Sequence, residues 1–171
     1  MRKYSELKGM AVEYSLPSDK TAKIITSLTF LASLAVLGFF AYLDLLQEPL
    51  YILIAVSILA VPAIAFLLSP KKVVLAEERM IIEKIMGKIE IPYEAIREID
   101  LIERPKMTRI FGSGGLFGYF GIFDAEDIGE VRVYAKRSRD FVLIKANGNY
   151  LIAPEKPEEF IENLKIRVGR R

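Results

Sequence analysis

Residues 129–168 read GEVRVYAKRSRDFVLIKANGNYLIAPEKPEEFIENLKIRV, and the hydrophobic period changes within this stretch. In GEVRVYA, apolar side chains alternate with charged or hydroxylated ones, which indicates a strand with one buried face. Two further strands flank Asn147 and Gly148, a dipeptide typical of tight hairpins. After Pro157 the apolar residues recur at helical spacing. The stretch therefore predicts antiparallel strands that lead into one amphipathic helix.

The residues upstream predict more strands of the same kind. KVVLAEE and RMIIEKI are short β-prone runs separated by a charged turn, and MGKIEI turns at Gly87 and Lys88 into a third strand. A short turn over residues 93–95 precedes another strand. We expect residues 71–168 to form one mainly β domain of about seven antiparallel strands, a barrel-like sheet covered by the C-terminal helix.

Two long apolar runs precede this domain. Residues 24–43 and 49–69 contain no charged side chain, and each is long enough for a helix that spans a hydrocarbon core of about 30 Å. The connection over residues 44–48 is short, so the two runs predict a transmembrane helical hairpin. Residues 1–23 are then an N-terminal segment on the same side as the domain.

The charges beside the two runs predict their orientation. Basic residues flank both outer ends, whereas the connection carries only Asp44 and Glu48. By the positive-inside rule we expect both termini in the cytoplasm, in a multi-pass protein of the cell membrane. The basic residues are Arg2, Lys3, Lys8, Lys20 and Lys23 before the first run and Lys71, Lys72, Arg79, Lys84 and Lys88 after the second.

The composition excludes several classes of function. The chain has no cysteine and no histidine, which rules out disulfides, zinc sites of the Cys/His type, cysteine nucleophiles and histidine-based triads. The net charge of +2 is too small to indicate a nucleic-acid partner, which needs a concentrated basic face. No cofactor is indicated either.

The segment FGSGGLFGYFGIF, residues 111–123, is rich in glycine and aromatic residues. Its glycines do not fit the Gly-x-Gly-x-x-Gly dinucleotide fingerprint. A Walker loop requires Lys-Ser or Lys-Thr directly after its last glycine, and no glycine of this segment is followed by either. Nucleotide binding is therefore not predicted. We expect a loop over residues 112–115 and a glycine-punctuated strand over residues 116–123.

Two interpretations of the aromatic side chains remain open. In the first, Phe117 belongs to the strand and packs beside its neighbours. In the second, Phe111, Leu116 and Phe117 lie on a mobile loop and dip into the adjacent bilayer, with Arg104, Lys106 and Arg109 facing anionic headgroups. The loop that contains these basic residues is the candidate functional element.

Two charged clusters follow the aromatic segment. The first, Asp124, Glu126 and Asp127, could ligate a divalent cation, but acidic turns are common for solubility alone and this one matches no full calcium loop. The second, KRSR, forms either a solvated hairpin end or an anion contact. The candidate lipid-binding or partner-binding residues are Arg104, Lys106, Arg109, Phe111, Phe117, Lys136, Arg137 and Arg139.

Three stretches resemble bacterial and archaeal membrane proteins that carry a pleckstrin-homology-like (PH-like) domain. They are GKIEIPYEAIREID at residues 87–100, GLFGYFGIFDAEDIGEVRVYAKRSRDFVLI at residues 115–144 and YLIAPEKPEEFIENL at residues 150–164. The resemblance implies a partly open barrel of seven antiparallel strands, capped by a C-terminal helix and preceded by two transmembrane helices. It also implies a role in binding or assembly.

One departure from that family concerns its ligand. PH domains that bind inositol phosphates resemble one another in a basic loop between the first two strands, whereas here the turn is AEER, with Glu77 and Glu78. We therefore expect a membrane-anchored, non-enzymatic module that engages a protein partner or a second copy. The alternative is anionic-lipid sensing through the basic and aromatic loop, and the third hypothesis is a metal-assisted hydrolase.

Overall fold

The computed structural model describes residues 11–169, so Arg2, Lys3 and Lys8 lie outside the described residues. Within that range the chain has ten strands and three α-helices. The strands are β1 (Val12–Ser15), β2 (Pro70–Leu75), β3 (Arg79–Lys84), β4 (Lys88–Pro92), β5 (Glu98–Ile102), β6 (Met107–Gly115), β7 (Gly118–Ala125), β8 (Gly129–Ala135), β9 (Phe141–Lys145) and β10 (Asn149–Ile152). The helices are α1 (Lys20–Tyr42), α2 (Pro49–Leu68) and α3 (Pro157–Val168).

The first sheet is antiparallel and has the strand order β1-β2-β3-β4. Strand β1 was not predicted from the sequence, and it pairs with β2 so that Val12 lies opposite Leu75 and Ser15 lies opposite Lys72. Both α1 and α2 lie between β1 and β2 along the chain. The helix pair is therefore inserted between two neighbouring strands of one sheet, and does not simply precede the domain.

The second sheet has the strand order β5-β9-β10-β8-β7-β6. The prediction of an all-antiparallel sheet is wrong at one point, because β8 and β10 pair in parallel, with Tyr150 opposite Arg132. The hairpin of β9 and β10 places β10, not β9, beside β8, and β10 runs in the direction of β8. The predicted number of about seven strands was too low, and the two sheets do not close into a barrel.

The two faces of the second sheet bury separate apolar clusters. Along β9, Val142 and Ile144 belong to the cluster shared with the first sheet and α3, whereas Phe141 and Leu143 belong to the other cluster. This alternation follows from the strand period of two residues. Because both faces are covered, the FVLI segment is buried throughout.

The C-terminal helix was predicted correctly and covers the first cluster. Its side chains Phe160 and Leu164 are fully buried, and the ring of Phe160 meets Tyr14 of β1 edge-on, with centroids 5.0 Å apart. The acidic residues Glu158 and Glu159 lie in its first turn, where the helix dipole favours negative charge.

Helices α1 and α2 form a hairpin through a short 3₁₀ turn at Leu45–Gln47. Both are long and apolar enough to cross a membrane, by length and composition. Their large side chains face outward along most of the length; Leu31, Leu34 and Leu53 are each about two thirds exposed. The rings of Phe40 and Tyr51 pack 5.4 Å apart near the connection.

The glycine-rich segment differs from its prediction. The expected loop over residues 112–115 is the end of β6, and the following strand begins at Gly118 instead of residue 116. The connection consists of Leu116 and Phe117 alone. The loop expected to contain Arg104, Lys106 and Arg109 is therefore reduced to the residues between β5 and β6, and Arg109 lies within β6.

Candidate functional site

The hairpin of β6 and β7 depends on glycines at facing positions. Gly112 lies opposite Gly121, with φ angles of 114° and 123° that only glycine adopts readily. A Cβ atom on Gly112 would collide with the carbonyl oxygen of Phe120, and one on Gly121 with that of Phe111. The two strands can approach this closely because neither position has a side chain.

The tip of this hairpin is held by a buried serine. The Ser113 hydroxyl lies 2.7 Å from the carbonyl oxygen of Leu116 and 3.0 Å from that of Gly118. One donor thus serves two turn carbonyls. Phe117 itself has a φ of 57°, a left-handed conformation that costs a residue with a Cβ about 1–2 kcal/mol.

The hairpin tip contacts both apolar helices. The Phe117 ring meets Phe30 of α1 and Phe66 of α2 edge-on, at centroid distances of 6.0 Å and 5.3 Å. Its backbone N–H donates a 2.9 Å hydrogen bond to the hydroxyl oxygen of Thr26. Next to the turn, Gly115 lies against the Ile25 side chain so closely that a Cβ would clash. The strained turn therefore places an aromatic ring between the helices.

Asp19, which the sequence analysis did not single out, fixes the start of α1 to the second sheet. One carboxylate oxygen accepts the Ala22 N–H at 2.7 Å as the N-cap of α1. The other accepts the backbone N–H and the hydroxyl of Ser138, at 3.0 Å and 3.1 Å. The Asp19 N–H donates to the carbonyl oxygen of Lys136 at 3.0 Å. The signal for this residue was an aspartate directly before an apolar helical run.

The sequence from β2 through α3 matches a known family. A comparison with protein families matched the bacterial PH domain over residues 71–168, more than half of the chain. The chain belongs to the bacterial PH domain family. PH-like domains are generally non-catalytic binding modules. Comparisons with curated proteins and with solved structures found no match.

The turn between β2 and β3 of this PH domain is acidic and tied to α3. Glu77 and Glu78 are exposed there. The preceding carbonyl oxygen, of Ala76, accepts hydrogen bonds from the Tyr93 hydroxyl at 2.7 Å and from Arg167 Nη1 at 2.8 Å. Burial raises the pKa of Tyr93 to about 12, so the hydroxyl remains a donor throughout the physiological range.

The predicted basic residues lie at the start of β6, the last strand of the second sheet: Arg104 and Lys106 precede the strand, and Arg109 belongs to it. Arg104, Lys106 and Arg109 are all exposed, and Lys106 Nζ lies 3.1 Å from a Glu126 carboxylate oxygen. Phe111 is 72% exposed, beside an irregularity in the register of β6. The structure thus separates Phe111, which faces outward, from Phe117, which contacts the helices.

The remaining predicted residues have different surroundings. Arg137 is directed inward, where Nη2 donates to the Pro154 carbonyl oxygen at 2.8 Å, whereas the Arg139 side chain is mostly exposed. The acidic residues Asp124, Glu126 and Asp127 do not form a metal cluster: between residues 11 and 169, no three acidic side chains are placed to hold a metal ion.

A groove of about 410 Å³ opens where the helices meet the PH domain, and we call it the junction groove. Its lining includes Lys23, Thr26, Phe66, Ser69, Phe117 and Lys136. Burial lowers the pKa of the Lys136 ammonium, and the neighbouring Lys71 ammonium lowers it further. The groove thus combines the half-buried Lys136 with the exposed Lys23 beside the hairpin tip.

Proposed function

We propose that this chain is a membrane-anchored, non-enzymatic PH-domain protein that engages a protein partner, or a second copy of itself, on the cytoplasmic face of the cell membrane. The observation that carries the proposal is the joint between the apolar helix pair and the domain. Phe117 packs against both helices, and Asp19 links the start of α1 to the second sheet. The helices therefore hold the PH domain in one orientation.

The exposed surfaces of α1 and α2 support membrane insertion. Both helices present leucine, isoleucine and phenylalanine side chains outward, a surface that water disfavours and a bilayer accommodates. The basic residues at the domain ends of the helices and the acidic connection support a cytoplasmic domain.

The outer edge of β6 supports a binding role. This nine-residue strand is last in the order of its sheet, and no further strand among residues 11–169 pairs with its outer edge. Such an edge can pair with a strand from another chain. Ile110 and Phe111 provide exposed apolar side chains along it. Because the helices already supply membrane affinity, a weak edge contact gains from a high local concentration.

The membrane topology can be tested by labelling single cysteines, since the chain has none of its own. Glu48→Cys lies in the connection between the helices and Glu158→Cys lies on α3, and both side chains are exposed. We expect the chain in the membrane fraction, with a membrane-impermeant maleimide labelling the first variant in intact cells and the second only after lysis. The reverse pattern would exclude the proposed orientation.

The partner surface can be tested by crosslinking through β6. We expect a cysteine crosslinker on Phe111→Cys to capture a second copy or a discrete companion protein, with the Glu158→Cys variant as the matched control. Equal capture through both positions, or through neither, would rule out the β6 edge as the binding surface.

A second function, contact with anionic lipid through the basic and aromatic loop, is favoured by the outward position of Phe111 beside Arg109. The chain has no tryptophan, so Phe111→Trp introduces a single one whose fluorescence can be followed. In vesicles containing brominated lipid, this function requires that the fluorescence of the tryptophan at position 111 be quenched. The control is Leu101→Trp on β5, at the opposite end of the sheet, and its fluorescence should not be quenched. Quenching absent from both variants would remove this alternative.

A further inference from the structure

The junction groove carries positive charge that the described residues do not neutralise. Within residues 11–169, Lys23, Lys71 and Lys136 form no ion pair with a carboxylate, whereas Lys72 lies 2.5 Å from Glu13 and Lys145 lies 2.9 Å from Glu98. Lys136 is half-buried, and both its burial and the Lys71 ammonium lower its pKa. Burial and a nearby like charge both disfavour the charged form of Lys136, and a bound anion would offset them.

The groove also offers a hydroxyl donor. The Thr26 oxygen accepts the Phe117 N–H, and in the part of the chain that the structure describes its own proton makes no hydrogen bond. It differs in this from Thr29, whose hydroxyl donates to the Ile25 carbonyl oxygen at 2.9 Å. Thr26 is therefore prepared to donate to an acceptor in the groove.

Part of the groove lining is apolar and continues onto the helices. The rings of Phe66 and Phe117 line it, and from there the outward-facing apolar surface of α2 extends away from the PH domain. A ligand that fits both the basic and the apolar part of the lining has an anionic group beside the lysines and a hydrocarbon chain along the helices.

We propose that the junction groove binds the phosphate group of an anionic membrane lipid, with Lys23, Lys136 and the Thr26 hydroxyl as its donors and the lipid chain beside Phe66. Lys71 adds long-range attraction from its exposed position. The lipid as source rests on the proposed membrane anchoring, which would set the groove at the depth of the headgroups. The binding surface belongs to the helix–domain joint and lies apart from the acidic turn between β2 and β3.

The test uses the full chain, purified in a neutral detergent. Native mass spectrometry would count adducts with short-chain phosphatidylglycerol, with short-chain phosphatidylcholine and with inorganic phosphate. The groove variant is Lys23→Gln with Lys136→Gln, and the matched control is Arg104→Gln with Arg109→Gln, which removes the same charge from the β6 loop. Lys136→Arg restores the charge, and the thermal unfolding midpoint of each variant reports whether it is folded.

We expect the native chain to retain phosphatidylglycerol in preference to phosphatidylcholine. The groove variant should bind it at least about tenfold more weakly, since each charge-assisted hydrogen bond contributes about 1.5–3 kcal/mol and about 1.4 kcal/mol corresponds to a factor of ten. The control and the Lys136→Arg variant should bind nearly as the native chain does.

Three results would overturn the proposal. They are unchanged binding in a folded groove variant, loss of binding in the β6 control alone, and equal retention of inorganic phosphate, which would make the ligand a soluble anion. These outcomes are separate from the membrane proposal, because cell fractionation and cysteine labelling decide anchoring without reference to lipid adducts.

Discussion

The hydroxyl oxygen of Thr26 accepts a 2.9 Å hydrogen bond from the backbone N–H of Phe117 and so links α1 to the tip of the β6–β7 hairpin. Thr26→Val keeps the shape of the side chain and leaves that N–H without its acceptor. We expect a loss of about 1–2 kcal/mol in stability. Thr26→Ser should restore most of it. Denaturant unfolding in detergent measures the effect, with Thr29→Val, which removes only a bond within α1, as the control.

The Phe117 ring should contribute strongly to the same joint. Phe117→Ala removes two edge-on aromatic contacts, each worth about 0.5–1.5 kcal/mol beyond the buried area. Phe117→Gly removes the same ring but relieves the left-handed strain, so it should be less destabilising by about 1 kcal/mol. Limited proteolysis of the hairpin and thermal unfolding would check this order. A comparable loss from Phe111→Ala, whose ring is exposed, would contradict it.

Glycine at position 112 should be indispensable to the hairpin, and glycine at position 114 should not. Gly112→Ala places a methyl group against the Phe120 carbonyl oxygen in a positive-φ conformation, and we expect a loss of more than about 3 kcal/mol. A methyl group on Gly114 meets only the Arg109 side chain, no closer than 3.5 Å, so this variant should change stability by less than about 1 kcal/mol. Expression level and unfolding midpoint distinguish the two; equal effects would contradict the facing-glycine geometry.

Asp19 should stabilise the helix start and the domain contact together. Asp19→Ala loses the N-cap bond, worth about 1 kcal/mol, and leaves the Ser138 N–H without its acceptor. Asp19→Asn can keep the cap but presents an amide donor to Ser138, so its loss should be intermediate. Hydrogen exchange of the Ala22 and Ser138 amides would separate the two effects. Faster exchange at Ala22 alone in the alanine variant would show that the domain contact is unimportant.

The pKa of Lys136 should depend on Lys71. Burial and the Lys71 charge both lower the Lys136 pKa in the folded chain below the ordinary 10.5. At pH values between the folded-state pKa and 10.5, the unfolded chain therefore binds more protons than the folded chain does. The stability of the folded chain rises with pH in that range. Lys71→Gln removes one cause and should move the Lys136 pKa upward. NMR titration of ¹³C-methylated lysines, with Lys136→Arg for assignment, measures the shift. A Lys136 pKa that does not change in Lys71→Gln would contradict the pairing.

Local patterns predicted most individual elements. Residues 129–135, the hairpin at Asn147 and Gly148, and α3 were all confirmed, because alternation, turn chemistry and helical spacing are properties of short segments. The apolar helices were likewise found within a few residues of their bounds.

Pairing across long separations was not predictable in the same way. Val12, Tyr14 and Leu16 alternate with polar residues, so the signal for β1 was present, but its partner strand follows two intervening helices. The parallel pair of β8 and β10 depends on which side of β9 the chain returns. The contact of Phe117 with Phe30 and Phe66 requires the packed arrangement of hairpin and helices, which the period of a single segment does not specify.

The position of α1 and α2 between β1 and β2 also sets an order for biosynthesis. The ribosome completes Val12–Ser15 first, but the strand that pairs with it, Pro70–Leu75, is translated only after both apolar helices. Tyr14 and Leu16 cannot enter their core until then. The first sheet must therefore assemble late on the nascent chain. The PH domain can complete its folding only after the two helices have been placed.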